Sequence, residues 1–230
     1  MQQIFFAISM ILLTVVAYLV MTKIYQRYSY SFLIPVLTAT TLIIIVLAIF
    51  QITYESYMIG GQWIDSLLGP AVVALAYPLY KQRWFLLRHF FPILGGVLIG
   101  AASGMLSVGL FSKLFGLSNT LASSLIPKSI TTPVAIEVSN GMGGNVSMTV
   151  VGVMIAGIFG AMVAPAIFRL FRVDSPIGRG MALGNASHAI GTSKAAEYSN
   201  LTFSISSVTM TLCAIIGSFL GPIVAWMLQI

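Results

Sequence analysis

The length of its charge-free apolar runs constrains this chain most. Ile4 to Thr22, Phe32 to Phe50, Phe90 to Ser112, Ser147 to Ile167 and Ser204 to Ile230 contain no Asp, Glu, Lys or Arg. Each is close to or above the roughly 20 residues that a helix needs to cross a bilayer. Charged residues make up 7% of the 230 positions, against about 25% in soluble domains. So few charges cannot solvate so large an apolar fraction. A soluble globular domain, a disordered chain and a secreted disulfide scaffold are excluded, and an integral membrane protein remains. The single cysteine, Cys213, has no partner within the chain for a disulfide and reads as apolar filler. The first run lacks a basic segment before it and a small-residue cleavage site after it, so it is expected to stay as a first helix.

Leu67 to Tyr80 is shorter and holds Pro70 and Pro78, which predicts a kinked third helix. Two further stretches, 118–146 and 181–202, carry glycines and polar groups that suit no lipid-facing helix. Irregular backbone at membrane depth is tolerated only where protein buries it or a cavity hydrates it. The expected fold is an all-α integral membrane protein of about six spanning helices plus two interrupted or re-entrant segments. It divides into 1–89 with three spans, 90–146 and 147–203 each with a span and an interrupted segment, and 204–230 with the last span, all in one membrane domain.

The two middle divisions resemble each other. Lys128-Ser-Ile-Thr-Thr-Pro-Val-Ala-Ile-Glu-Val-Ser-Asn140 aligns without a gap on His188-Ala-Ile-Gly-Thr-Ser-Lys-Ala-Ala-Glu-Tyr-Ser-Asn200, 60 residues on, with six identities in 13 positions. The alternatives are chance similarity between small-residue segments and an internal duplication. If both segments are re-entrant, the loops at 23–31, 81–89 and 169–180 share one side and hold eight Lys/Arg, against Lys113 alone opposite. If 118–146 crosses once, the split falls to five against four. The positive-inside rule favours the re-entrant arrangement. The repeats are then antiparallel, and both chain termini lie outside the cytoplasm. The net charge of +6 is this loop pattern rather than a nucleic-acid patch.

Lys128 stands between Pro127 and Pro133 in an otherwise uncharged region. A charge at bilayer depth costs at least about 2.5 kcal/mol. It either snorkels to an interface or meets an anionic substrate in a cavity. The prolines interrupt the helix, and a half-helix N-terminus favours a carboxylate. Ser129, Thr131 and Thr132 add hydroxyls, and Asn140 and Asn145 bracket a glycine turn that is not a phosphate-binding loop. His188 takes the Lys128 position in the second segment, among Asn185, Ser187, Thr192 and Ser193. Its titration range suits proton coupling. Glu137 and Glu197 are either ion-pair partners of Lys128 and Lys194 or proton carriers. Two histidines 99 residues apart make no metal cluster. Ser187 beside His188 makes no catalytic triad, so neither an enzyme nor a cofactor is expected.

The runs Leu125-Ile-Pro-Lys-Ser-Ile-Thr-Thr-Pro-Val-Ala-Ile-Glu137, Gly180-Met-Ala-Leu-Gly-Asn-Ala-Ser-His-Ala-Ile-Gly-Thr192 and Gly69-Pro-Ala-Val-Val-Ala-Leu-Ala-Tyr-Pro-Leu-Tyr80 resemble the signatures of the LrgB/CidB family of bacterial membrane proteins, over essentially the whole chain. The resemblance implies one of two functions. One is a holin-like or antiholin-like regulator of murein hydrolase activity and lysis, acting with a small LrgA/CidA-type membrane partner. The other is a carrier of small monocarboxylates, as in the chloroplast glycolate/glycerate translocator and bacterial pyruvate uptake pairs. It also implies kinship with inverted-repeat transporters such as the sodium/proton antiporter and bile-acid symporter group. The residues favour the carrier, because a pore built by assembly needs no buried Lys matched by a His in an interrupted helix. Lysis effects would then be indirect, through carboxylate flux and internal pH. The expected partners are a small carboxylate anion, the bilayer and the small membrane protein, with a homo-oligomer left open. The expected location is the bacterial cytoplasmic membrane.

Overall fold

In the computed structural model, residues 2–28, 30, 33–74 and 76–230 are described, and no strand occurs among them. The chain forms two compact units, 1–71 and 72–230.

In the first unit, α1 (Gln2–Tyr28) is followed by α2 (Pro35–Ile49) and α3 (Tyr54–Asp65). The first helix runs past Thr22 and carries Lys23 and Arg27 on its last turns. Its carboxyl-terminal dipole favours these cations, so most of the loop expected at 23–31 is helix. α2 begins only at Pro35, where a missing N–H costs nothing, and ends before Gln51 at φ 51°. Its 15 residues fall short of a bilayer crossing at about 1.5 Å each. Phe32, the expected start of this span, lies outside the described residues. α3 was not anticipated. Thr53 caps it by accepting from the Ser56 N–H at 3.3 Å, and Glu55 occupies its first turn, both standard helix-start signals. It packs on α1 through Gly60, where a Cβ would lie 2.8 Å from the Met10 Cβ, and through a Thr14–Tyr57 hydroxyl contact of 2.8 Å.

α4 (Leu68–Ala74) and α5 (Ala76–Lys81) lie where the kinked third helix is expected, and residue 75 between them is outside the described residues. α6 (Arg83–Arg88) follows, and the Gln82 amide donates to the Ser204 hydroxyl at 3.1 Å.

The second unit is built on α7 (Phe90–Leu114), α10 (Val146–Leu170) and α12 (Asn200–Leu228). With α1 these are the four helices long and apolar enough to span a bilayer among the described residues. Ile93, Val97, Ala101 and Met105 recur every fourth residue on α7 and are fully buried. They form one core with Cys213, Val224 and Ala225 of α12 and Ile126, Ile130 and Val153.

Between the long helices the chain is broken twice. After α8 (Asn119–Leu125) comes a 3-10 turn, Ile126–Ser129, then extended residues Ile130 and Thr131, then α9 (Thr132–Gly141) with Pro133 in its first turn. α11 (Pro176–Ala195) is interrupted at His188, with φ 41° and ψ −129°. In both cases the flanks come back together. The Asn145 N–H donates to Ser124 Oγ at 2.7 Å. The Arg179 guanidinium lies 5.1 Å from the Tyr198 ring centroid, and Tyr198 meets Phe168 edge to face. The two broken segments meet neighbouring turns of α7, since a Cβ on Gly100 would strike Asn185 and one on Gly104 would lie 3.3 Å from Ser129 Oγ.

Candidate functional site: a cationic cleft at the two helix breaks

A cavity of about 650 Å³ lies between α7 and α10, floored by the two broken segments. That is within the roughly 300–1,000 Å³ usual for small-molecule sites. Lys128 and Ser129 of the 3-10 turn, Asn185 of α11, and Gly100, Ser103, Gly104 and Ser107 of α7 line it, with Ala156, Phe159 and Gly160 of α10 opposite.

Among the described residues, Lys128 is the only ionisable side chain on this lining. Its Nζ donates to Ser129 Oγ at 3.3 Å. Arg179 pairs with Asp174 at 3.0 Å and Lys194 with Glu197 at 2.5 Å. The expected Glu197–Lys194 pair is therefore present, whereas Glu137 is exposed on α9 and forms no pair with Lys128. A lone cation in a partly dehydrated cleft holds a positive potential with nothing on the lining to cancel it.

His188 is 2% exposed, and its Nε2 lies 3.0 Å from the Val153 carbonyl of α10. A carbonyl only accepts, so Nε2 carries the proton. The left-handed backbone at His188 disfavours any residue with a Cβ and most of all a β-branched one. His188→Gly is expected to lose the Val153 bond yet keep the break. His188→Val should be less stable than His188→Gly by about 1–3 kcal/mol. Melting temperatures in detergent check the order, and equal values would show that the break carries no strain.

The other expected residues are scattered around the cleft. Ser187 is buried against Gly160. Thr131 is buried at the start of α9 without a side-chain cap bond, and Thr132 opens that helix. Thr192 is committed to Ser206 at 2.9 Å, and Ser193 to the Ala189 carbonyl. Asn145 caps α10, accepting from the Met148 N–H at 3.1 Å, and Asn140 is exposed on the last turn of α9. Lys128, Ser129 and Asn185 are thus the three that the structure brings onto one lining. Sequence reasoning missed the α7 wall. Its signal is the spacing of Gly100, Ser103, Gly104 and Ser107 on one helix face, which reads equally as helix packing. Cys213, read as filler, touches both breaks: its Sγ is 3.9 Å from the Ser129 carbonyl and 3.9 Å from the Asn185 carbonyl. No group of His, Cys, Asp or Glu among the described residues is placed to hold a metal.

The model of the LrgB-like family matches residues 14–227. The uncharacterized protein YxaC of Bacillus subtilis (strain 168) is 58% identical over 230 residues, all of both chains. The holin-like protein CidB of Staphylococcus aureus (strain Mu50 / ATCC 700699) is 43% identical over 217 residues, 94% of this chain and 95% of that one. CidB of Staphylococcus epidermidis (strain ATCC 12228 / FDA PCI 1200) is 40% identical with the same coverage. No solved structure matches the chain.

Proposed function

Because the chain belongs to the LrgB-like family, we propose that it works as a holin-like protein of the bacterial cytoplasmic membrane, as its Staphylococcus relatives are named. The likeness to those relatives along almost the whole chain carries this reading. On it, the partner is a small membrane protein of the LrgA/CidA type, and the outcome is control of murein hydrolase activity and lysis.

One observation favours a second reading, a carrier of small monocarboxylates. Among the described residues, the ionisable side chain on the cleft is the Lys128 cation. A lipid-facing pore wall has no use for a charge that costs several kcal/mol to bury unpaired, whereas an anionic solute offsets that cost by pairing with it. Ser129 and the extended backbone at Ile130 and Thr131 stand beside it; on this reading His188 serves proton coupling and one of Glu137 and Glu197 carries protons, Glu197 being the one that also pairs with Lys194. The two readings meet in one molecule if carboxylate flux shifts internal pH and lysis follows.

In this account the two broken segments are re-entrant and form an inverted repeat. Units 90–146 and 147–203 enter the membrane from opposite faces, and about six spans arise in all. The contacts Asn145–Ser124 and Arg179–Tyr198 support the returns. The basic residues at 81–88 and 169–179 then share the cytoplasmic side, Lys113 lies opposite, and both termini are outside. Single cysteines placed at Arg172 and Lys113 in a Cys213→Ala background test this. An impermeant thiol reagent is expected to reach position 113 only from outside and position 172 only from inside. Labelling of both from one side would remove the re-entrant topology.

For the choice of function, the protein is reconstituted in liposomes holding a trapped dye. A holin-type pore releases dye and passes solutes without saturation. A carrier retains the dye and saturates with carboxylate.

A further inference from the structure

α5 and α6 carry a face that suits neither water nor lipid tails. α7 is long and apolar enough to cross the bilayer and begins at Phe90. α6 ends at Arg88, so it lies where hydrocarbon gives way to headgroups. Phe85 and Leu86 pack inward against the core of the second unit. Arg83, Trp84, Leu87 and Arg88 are exposed on the other side, and their spacing makes one continuous helix face. A face meant for water would not leave Trp84 72% exposed, and a face meant for lipid tails would not hold two arginines. Aromatic rings interleaved with cations are the pattern of an interfacial surface. The rings also hold the cations in place. The Arg83 guanidinium lies 4.2 Å from the Tyr80 ring centroid and 5.6 Å from that of Trp84, and Lys81 Nζ lies 5.5 Å from that of Tyr77.

The charge on this face is uncompensated. No acidic residue occurs between Asp65 and Glu137, and among the described residues Lys81, Arg83 and Arg88 enter no ion pair. We propose that α5 and α6 dock an anionic phospholipid, its phosphate among these three cations and its acyl chains beside Trp84 and Leu87. Guanidinium groups match phosphate oxygens in geometry as well as charge, and basic surfaces at headgroup depth gather anionic lipid. A zwitterionic lipid brings a cation of its own, which the three basic side chains repel. An acidic protein could match the charge, yet at headgroup depth lipid is always at hand and brings apolar chains for Trp84 and Leu87. The docked lipid is tied to the rest of the unit. Phe85 and Leu86 join α6 to the core, and the Gln82–Ser204 bond joins it to the first turns of α12.

Trp84 is the reporter. In the full-length chain carrying Trp63→Phe and Trp226→Phe, both at exposed positions, it is the one tryptophan left. Its fluorescence is followed in phosphatidylcholine vesicles that contain brominated phosphatidylglycerol or, at the same mole fraction, brominated phosphatidylcholine. The two association constants read from the quenching are expected to differ by at least about tenfold in favour of phosphatidylglycerol. With Lys81→Gln, Arg83→Gln and Arg88→Gln together, the two constants should come within about twofold of each other. Should that variant not fold, Lys81→Gln with Arg88→Gln keeps the test, because it spares the bond from Arg83 Nη1 to the Tyr80 carbonyl and should still narrow the preference by about threefold or more. Arg169→Gln with Arg172→Gln is the control. The Phe168–Tyr198 contact sets these two arginines at the same end of the bundle as the start of α12, away from α5 and α6 in sequence, and their loss should change the preference by less than about twofold. An equal fall in the control and in the patch variants would mean a diffuse basic surface and overturn the docking site. Equal quenching by the two lipids with the patch intact would also overturn it and leave the face to an acidic protein partner. Loss of the preference on adding free glycerol phosphate, at matched ionic strength, would assign the cations to a soluble phosphate and overturn the lipid.

Discussion

Lys128→Gln is expected to weaken uptake or binding of a small monocarboxylate by at least about tenfold, about 1.4 kcal/mol, with protein accumulation in the membrane unchanged. The lysine is the only ionisable side chain on the cleft lining among the described residues. Its Nζ donates to a neutral hydroxyl, Ser129 Oγ. Glutamine keeps most of the length and some hydrogen bonding but removes the charge. Folding should not suffer, because no buried acid is left unpaired by the change, and a lone charge in a low-dielectric setting opposes folding rather than aiding it. Lys128→Arg should rescue only in part, since the planar fork needs more room and places its donors differently. Initial uptake rates against concentration, at matched protein level, decide the matter. Unchanged kinetics in Lys128→Gln would return the lysine to a snorkelling role.

The largest effect on folding is expected at Gly184. A Cβ there would collide with the Ser206 carbonyl and Thr209 Oγ1 of α12, and would lie 3.1 Å from the Met210 nitrogen. Two of these three obstacles are backbone atoms in a helix, so they cannot rotate away. One turn earlier, Gly180 is in the same position, with the Thr202 carbonyl 2.7 Å from its would-be Cβ. The half of α11 before His188 therefore lies backbone to backbone on α12, and small residues are what allow this. Gly184→Val has to push the two apart and open the core around Leu183 and Ile205, both fully buried. A cost of about 3 kcal/mol or more is expected. It would be read as loss of monodisperse protein in size-exclusion chromatography and a collapsed melting temperature. Gly95, with nothing within 4 Å of its would-be Cβ, is the control. Gly95→Ala should be neutral or slightly stabilising through helix propensity. A Gly184→Val protein that melts with the wild type would contradict the close α11–α12 contact.

The long helices were legible because their signal is long. Twenty apolar residues without a charge leave few other structures open, and α7, α10 and α12 begin and end within a few residues of the charge-free runs. α2 and the region of α4 and α5 were less legible. Hydropathy does not see where a proline lets a helix begin, so Phe32 to Phe50 reads as a span while the helix starts at Pro35. α3 was hidden because its polar face and its cap at Thr53 read as a loop. The prolines on either side of Ile130 mark the first break, whereas the second falls at His188, where the sequence holds no breaking residue. The α7 wall could not be assigned. A row of Gly and Ser on a membrane helix describes a packing face as well as a cavity face, and only the positions of Ser129 and Asn185 against it decide which.

The carrier reading turns on whether the Lys128 cleft is a working anion site. The most direct measurement is entry of labelled lactate into proteoliposomes that also hold a trapped dye, with wild-type protein and Lys128→Gln compared at equal reconstitution. The carrier reading predicts saturable lactate entry in the wild type, at least about tenfold less in Lys128→Gln, and full retention of the dye in both. Lactate entry that rises without saturation, is equal in the two proteins and is accompanied by dye release would contradict it and leave a pore with no substrate site of its own.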